Sequence, residues 1–510
     1  MQSILSVISF LLIINVLLLL FSVNSNAQSL NINDSLQTGQ TIKKGILKNV
    51  KKIEEDTVLM PYMDSFIGKT LISGLTIKEG NIVSENMLQA TGSTTFTLSN
   101  GIKIHYKFAD KNKNDVQLKA ISYGGLSLVK DNDLPSAQFL GDMMSLSGLG
   151  YYSATDLSKI LTNKTVKTDI HLSNLTESIC STSTTKDFET LMQMIHLHFV
   201  NPRFDTDAYQ ELIRNLKNNI TQRNHIINEK IKDSVTATLY GNNNPKQRLL
   251  NNDFIKEVSF DKIKTLYMER FNNAADFEFF IVGDLQKRAL RPLLEKYMAS
   301  IPTNGAKEIW QDNSVPWLQD TIDKDILLPM EPPKSVVRIG YQNTMSYSLK
   351  NELIARVLGE ILQLRLTEIL REETGGTHSV SAKANISKRP VEQASLQIAF
   401  DCNPNREGQF ITIVNQEVEK IVKGVISQAD LDKTRTNYLK ERKKHRGYNS
   451  YDMHILTNYF REGYNMNDPK NFEDILNTIL IKDLEVFTKA LIKESKSYKI
   501  VFNPGSNVKK

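Results

Sequence analysis

The sequence predicts an α+β fold of two similar lobes, each an antiparallel-rich sheet covered by helices. In both halves of the chain, short segments of alternating polarity lead into long amphipathic helical segments. A segment rich in Pro, Asp and Asn separates the halves, and 510 residues suffice for two lobes of ordinary size. We therefore predict one α/β layer-sandwich domain at residues 94–300, a linker at 301–333 and a second such domain at 334–510.

The first domain begins with a predicted β-hairpin. Residues Thr95–Leu98 and Ile102–Tyr106 alternate in polarity around Asn100-Gly101, a pair typical of tight hairpin turns. The remaining predicted elements are a strand at Val116–Ser122, helices at about 135–147, 188–199 and 209–220, and a closing edge strand at Phe277–Val282.

The second domain repeats this plan, which indicates an ancient duplication. Its predicted elements are a strand at Val336–Tyr341, a long amphipathic helix at Asn351–Arg371, strands at Ser379–Ala384 and Ser395–Asp401, and helices starting near Gly408 and Asp430.

Residues 1–27 have most features of an export signal. An apolar stretch, Ile4–Phe21, is followed by the possible cleavage site Ser25-Asn26-Ala27. A Lys or Arg near the start is missing, so an uncleaved membrane anchor stays an alternative. We expect an exported protein of the periplasm, with residues 28–93 as a polar connector between the signal and the first domain.

Composition excludes several classes of protein. The net charge of +6 comes from 63 basic and 57 acidic residues, so we expect no nucleic-acid partner. The basic run Lys440–Arg446 is interpreted as a solvated helix face. Two cysteines, Cys180 and Cys402, cannot form a disulfide framework, although a single bridge stays open, and both are expected to be buried.

Four phrases stand out along the chain: LSNGIK at 98–103, SYGGLS at 122–127, FIVGD at 280–284 and LTEILREETGGT at 366–377. In this order and spacing, they resemble the non-catalytic half of the pitrilysin/insulinase family of zinc peptidases. The resemblance spans about residues 94–500. It implies that the two lobes form one half of a peptidase clamp, which closes on a second half around an unfolded peptide.

The catalytic half of this family carries an inverted zinc motif, His-x-x-Glu-His, and a later Glu as third ligand. In zinc peptidases the histidines and the later Glu hold the metal, and the motif Glu takes a proton from the bound water. The resemblance places Gln138, Gly141 and Asp142 at the three motif positions. The later Glu falls near Asn218 or Asn219, in a segment without any acidic residue. We therefore expect no zinc in this chain and no activity alone.

Other histidines offer poor alternatives for a metal site. His196 and His198 are two residues apart on a predicted helix, so they point to different faces. His225 and Glu229 are four apart and can share a helical face, but the sequence supplies no third ligand. We interpret these histidines as structural residues.

Substrate contacts are implied by the resemblance at two positions. Family members use an Arg and a Tyr, seven residues apart, to hold the substrate backbone. Arg371 matches the Arg, whereas His378 replaces the Tyr with a titratable donor. Arg371 is equally suited to cap the C-terminus of its helix, and both interpretations stay open.

These observations lead to two functional hypotheses. The first is a non-catalytic, substrate-binding subunit that works with a separate zinc-bearing homologue in periplasmic peptide degradation. Zinc is then expected only on that partner. The alternative is a stand-alone peptide-binding or scaffold protein, for example a homodimer. A membrane contact is expected only if the leader stays uncleaved.

Overall fold

Two β-sheets organise the part of the chain that the structure describes, residues 70–373 and 379–505. The structure is a computed structural model. The predicted signal at 1–27, most of the predicted connector, and His378 lie outside the described residues. Among the residues that are described, no helix is both long and apolar enough to cross a membrane.

The first sheet has seven strands in the described chain. Its strands are β1 (Ile82–Leu88), β2 (Ser93–Leu98), β3 (Lys103–Phe108), β4 (Val116–Tyr123), β5 (Val166–Leu172), β6 (Thr176–Ser183) and β7 (Glu278–Gly283), in the spatial order β1-β2-β3-β7-β4-β6-β5. Residues 93–108 confirm the predicted hairpin. The prediction that β7 is an edge strand is wrong, because β7 lies between β3 and β4 and buries both faces. This explains its nearly continuous apolar sequence.

The second sheet repeats part of the first. Its strands are β8 (Thr321–Leu328), β9 (Ser335–Thr344), β10 (Val380–Ser387), β11 (Gln393–Cys402) and β12 (Lys496–Pro504), in the order β10-β11-β9-β12-β8. Strand β12 is parallel to β8 and antiparallel to β9, as β7 is parallel to β3 and antiparallel to β4. The order β5-β6-β4-β7-β3 therefore recurs as β10-β11-β9-β12-β8, which confirms the predicted fold class.

Helices cover both sheets. In the first lobe they are α1 (Leu134–Ala137), α2 (Leu140–Ser147), α3 (Ala154–Ile160), α4 (Phe188–Val200), α5 (Thr206–Arg223), α6 (Ile227–Tyr240), α7 (Asn252–Glu257), α8 (Phe260–Arg270) and α9 (Lys287–Leu293), the last extended by a π-helical turn at Leu294–Met298. In the second lobe they are α10 (Leu349–Thr367), extended by a π-helical turn at Glu368–Glu373, then α11 (Glu407–Val422), α12 (Gln428–His445), α13 (Asn449–Glu462), α14 (Glu473–Thr478) and α15 (Ile481–Ile492). Each lobe has its own apolar core.

Strands also occur in segments that we expected to be irregular. Strand β1 lies in the predicted connector and pairs with β2, and strand β8 lies in the predicted linker and forms an edge of the second sheet. The division of the chain into domains at residues 301–333 stays a prediction.

Helix α13 of the second lobe packs against the first sheet, beside β7. At its start, the backbone N–H of Asn449 donates to Oδ1 of Asn112 over 2.9 Å. The buried carboxylate of Asp452 pairs with Lys107 Nζ at 3.0 Å and Lys111 Nζ at 2.6 Å. Polar contacts and an apolar patch thus join the lobes along this helix.

Helices α10 and α11 share a buried carboxylate. Glu417 accepts hydrogen bonds from Arg365 Nε at 2.6 Å and from Lys420 Nζ at 2.5 Å. Burial alone would raise the pKa of Glu417, but these two cations hold it below its ordinary value. The carboxylate is therefore ionised, and it stabilises the fold at neutral pH.

Both cysteines are free in the described residues. Cys402 is buried, as we expected, and burial raises the pKa of its thiol to about 11. Cys180 is only half-buried.

Candidate functional site

A cavity of about 500 Å³ lies where helix α2 crosses the edge strand β5. The three residues at the predicted zinc-motif positions line it together, because two lie in the first turn of α2 and the third lies in the turn just before this helix. They are Gln138, Gly141 and Asp142. All of β5 lines the same cavity. The cavity therefore lies between the predicted zinc-motif positions and the edge strand of the first sheet.

Gly141 brings the helix very close to the strand. A Cβ atom at this position would lie 2.3 Å from the carbonyl oxygen of Ile170 in β5, far inside any real contact. The equivalent helix of the second lobe shows the same feature, since a Cβ at Gly359 would lie 2.8 Å from the backbone nitrogen of Ala384 in β10. A glutamate at position 141 therefore has no room unless α2 and β5 separate.

The residues at the motif positions do not fit a zinc ion. Gln138 offers only an amide, and Asp142 is a single carboxylate whose pKa is raised by burial in the cavity wall. Helix α5 packs against α2, and Asn218 and Asn219, where the resemblance placed the third ligand, are exposed amides that do not line the cavity. Within residues 70–373 and 379–505, no group of three or more His, Cys, Asp or Glu side chains is arranged to hold a metal. That this chain binds no zinc stays a prediction.

The paired histidines of α4 belong to the core. His198 Nε2 lies 3.0 Å from the hydroxyl of Thr168, and burial lowers its pKa to about 4. His196 Nδ1 lies 2.8 Å from the carbonyl oxygen of Tyr297. Both side chains are buried with separate partners, which confirms the structural interpretation. His198 also lines the cavity, and its Nδ1 has no partner among the described residues.

The second pair of potential ligands is separated by an ion pair. Glu229 Oε2 lies 2.8 Å from the Arg223 guanidinium, so its carboxylate is already neutralised. His225 precedes helix α6 rather than lying within it. That His225 and Glu229 hold no metal stays a prediction.

Arg371 lies apart from the cavity. It is exposed on the π-helical turn that extends α10, and it does not line the cavity beside α2. The structure therefore does not bring Arg371 together with Gln138, Gly141 or Asp142. Substrate contact by Arg371 and His378 stays a prediction.

Comparison with known proteins shows what this chain is similar to. Residues 257–438 match the family described as the peptidase M16 inactive domain. Over 357 residues, the chain is 23% identical to the "Probable zinc protease PqqL" of Haemophilus influenzae, covering 69% of this chain and 38% of that protein. The chain is a homologue of the M16 peptidases. This confirms the resemblance drawn from the four phrases.

Solved structures agree on the fold. The periplasmic protease PqqL from Escherichia coli matches with a TM-score of 0.74 and 18% identity, covering 90% of this chain and 50% of that chain. The M16 inactive domain from Pseudomonas fluorescens matches with a TM-score of 0.66 and 13% identity, covering 82% of this chain and all of that one. The chain thus spans half or less of these PqqL proteins. The homology supports a non-catalytic member of the M16 family.

One of the M16-like phrases has a clear structural role. In the segment 122–127, Gly125 has φ of +57°, and a Cβ there would lie 2.3 Å from the carbonyl oxygen of Ser173. Its N–H donates to Glu177 Oε2 over 2.8 Å, and burial raises the pKa of this carboxyl group. Glycine is therefore required where the end of β4 meets the loop between β5 and β6.

A second cavity of this M16 homologue was not predicted. It has a volume of about 890 Å³ and is lined by both lobes, with the largest shares from α12 and α13. Three residues of the basic run, Glu441, Arg442 and His445, line it. Arg442 does not belong to a solvated face, because its guanidinium stacks 4.0 Å from the Phe472 ring. The rest of Lys440–Arg446 is largely exposed, as we expected. The sequence feature that could have indicated this cavity is a row of polar residues along α13.

Proposed function

We propose that this chain is the non-catalytic half of a divided M16 peptidase. In this proposal it binds peptide and completes a clamp with a separate zinc-bearing homologue. The match of the whole described fold to one half of PqqL supports this assignment. In this proposal, a homologous subunit supplies the other half of the clamp.

The contact between Gly141 and Ile170 carries the proposal. It leaves no space for the glutamate side chain that acts as base in the catalytic half of the family. Helix α2 therefore packs on β5 but does not supply that base. Strand β5 remains an edge of the described sheet and lines the adjacent cavity. An extended peptide can add to such an edge through main-chain hydrogen bonds.

Arg371 and His378 are proposed to orient the peptide from the second lobe. A guanidinium donates several hydrogen bonds in a fixed geometry, which suits backbone carbonyl oxygens. The exposure of Arg371 supports this role, since its side chain is accessible to a ligand.

We further propose that the protein acts in the periplasm. The export-like leader at 1–27 supports this location, and the structurally similar PqqL of Escherichia coli is described as a periplasmic protease.

The test is co-expression of the chain with homologues from the same organism that carry His-x-x-Glu-His. We expect a stable complex on size-exclusion chromatography and faster hydrolysis of a fluorogenic unfolded peptide than with the partner alone. Arg371→Ala is expected to leave the complex intact and to lower hydrolysis about tenfold. Arg288→Ala, at another exposed arginine, is the matched control and is expected to change neither readout.

Two outcomes would overturn the divided-enzyme proposal. One is the absence of any complex with all such homologues. The other is a complex in which the chain fails to stimulate hydrolysis. A homodimer that binds unfolded peptide without a partner or metal would instead support the scaffold alternative.

A further inference from the structure

The cavity between the two lobes has the form of a ligand site. At about 890 Å³ it lies within the range of small-molecule pockets, roughly 300–1,000 Å³. His454, Asn458 and Arg461 of α13 line it, and their spacing of four and three residues puts them on one helical face. A helix that packs between two lobes usually buries apolar residues. This polar row is therefore directed into the cavity rather than into a core.

The wall of the cavity carries surplus positive charge. The side chain of Glu462 is 7% exposed, and its carboxylate forms ion pairs with three cations. The distances from its oxygens are 2.8 Å to Lys388 Nζ, 2.7 Å to an Arg389 guanidinium nitrogen and 2.9 Å to Arg461 Nε. Across the whole lining there are five Arg or Lys residues and three Glu residues, an excess of two positive charges. An anionic ligand would balance this excess.

The titration of His454 supports a positive potential in the cavity. The imidazole is exposed to the cavity, but partial desolvation by the surrounding protein, and then the charges of Arg461, Arg356, Lys119 and Arg442, lower its pKa. The imidazole is therefore neutral near pH 7 and adds no charge of its own.

A buried donor in the wall lacks an acceptor. Asn458 is 7% exposed, and its Nδ2 atom has no hydrogen-bond partner among the described residues. Buried polar groups are nearly always paired, and each exception calls for an explanation such as a missing ligand. An acceptor oxygen on a molecule in the cavity would supply that partner.

Aromatic side chains complete the lining. Tyr123 and Trp310 come from the first lobe and its following segment, and Tyr347 and Tyr464 come from the second. Such rings contribute a large apolar contact area, and the tyrosines also offer hydroxyl groups. The occupant should therefore combine an anionic oxygen group with an apolar or aromatic body.

We propose that this cavity binds a carboxylate attached to an aromatic or apolar body, either a free organic acid or the C-terminal residue of a peptide. Asn458 donates to the carboxylate, the surplus charge around Arg461 attracts it, and the aromatic wall contacts its body. Binding here needs neither a zinc-bearing partner nor the edge of β5, so the site is independent of the proposed function.

The test uses calorimetry on the mature chain with N-acetyl-phenylalanine, and with N-acetyl-phenylalanine amide as the neutral control. A second arm compares a pentapeptide ending in a free Phe carboxylate with its amidated form. We expect saturable binding of at least one carboxylate and none of its amide. Trp310 fluorescence should change on binding, because the other tryptophan, Trp317, packs against Tyr498 outside the cavity.

Variants separate a binding role from a structural one. Asn458→Leu is expected to weaken binding about tenfold or more while leaving the melting temperature unchanged or higher, since it removes an unpaired buried amide. Arg461→Gln should weaken binding by a similar factor, whereas Arg288→Gln, outside the cavity, should not change it.

The free acid and the peptide arm distinguish the two sources of the carboxylate, and binding in either arm supports the site. Absence of saturable binding by both carboxylates at millimolar concentration would overturn the proposal. Equal affinity for acid and amide would do the same. If Asn458→Leu does not fold, unchanged affinity in Arg461→Gln decides against the site.

Discussion

The close approach of α2 to β5 predicts that even a single methyl group at Gly141 destabilises the protein. A Cβ at this position lies 2.3 Å from the carbonyl oxygen of Ile170, whereas real Cβ contacts stay above 3.0 Å. The helix and strand must therefore separate by at least 0.7 Å, the difference between these distances. Because the opposing atom belongs to the backbone, no rotamer change relieves the contact. Overpacking of this kind costs about 1–3 kcal/mol.

Gly408 provides a matched control. It is the second residue of α11, as Gly141 is the second residue of α2, and a Cβ there meets nothing within 4 Å. Replacing Gly by Ala in a helix gains up to about 1 kcal/mol from helix propensity, and this gain is common to both variants. The difference between Gly141→Ala and Gly408→Ala therefore isolates the steric cost.

Urea denaturation followed by circular dichroism measures this difference. We expect Gly408→Ala to unfold at the same or higher urea concentration than the original protein. Gly141→Ala should unfold with a free energy about 1–3 kcal/mol lower than that of Gly408→Ala. If the two variants are equally stable, α2 does not press on β5, and the argument that position 141 excludes a catalytic glutamate fails.

Three further outcomes follow from buried groups. Asp452→Asn removes the shared partner of two lysines between the lobes, and it should lower the free energy of unfolding in urea by about 1–3 kcal/mol. As the control, Asp253→Asn removes an exposed pair and should leave this free energy nearly unchanged. Folding lowers the pKa of Glu417, so the ionised carboxylate stabilises the protein above its ordinary pKa of 4.5, and this stabilisation is lost as the pH falls through the lower folded pKa. The difference in stability between the original protein and Glu417→Gln should therefore shrink over that pH range. Urea titrations at several pH values measure this difference. The Cys402 thiol, with a pKa of about 11, should resist iodoacetamide at about pH 8 until the protein is unfolded. Mass spectrometry of the labelled peptides measures this reaction. Rapid labelling of Cys402 in the native protein would contradict its burial.

Sequence patterns predicted the elements whose apolar residues follow a simple period. The hairpin around Asn100-Gly101 and the long helix α10 are of this kind. Strand β6 was missed because its buried residues are mostly polar, including Glu177, which is satisfied by the N–H of Gly125 rather than by apolar neighbours. Strand β8 was missed because an edge strand with charged residues on its exposed side has little hydrophobic alternation.

The two cavities differ in how far sequence could reveal them. Gln138, Gly141 and Asp142 lie within five consecutive residues, at the turn before α2 and in its first turn, so their closeness follows from the sequence. The cavity between the lobes takes residues as distant as Tyr123 and Arg461, and only tertiary packing joins them. The Gly141 contact was likewise invisible, because the facing carbonyl belongs to a strand that sequence did not predict.

The position of β7 and β12 has a consequence for how the protein is made. Each is the last strand of its sheet in the chain, yet each lies between two strands that come much earlier. Strands β3 and β4 expose unpaired edges until β7 pairs with them. Strands β8 and β9 likewise expose unpaired edges until β12 pairs with them. Such long-range pairing is slow, and open edges invite pairing with other chains. Folding of this polypeptide therefore has to bring each last strand into its sheet before the open edges meet other chains.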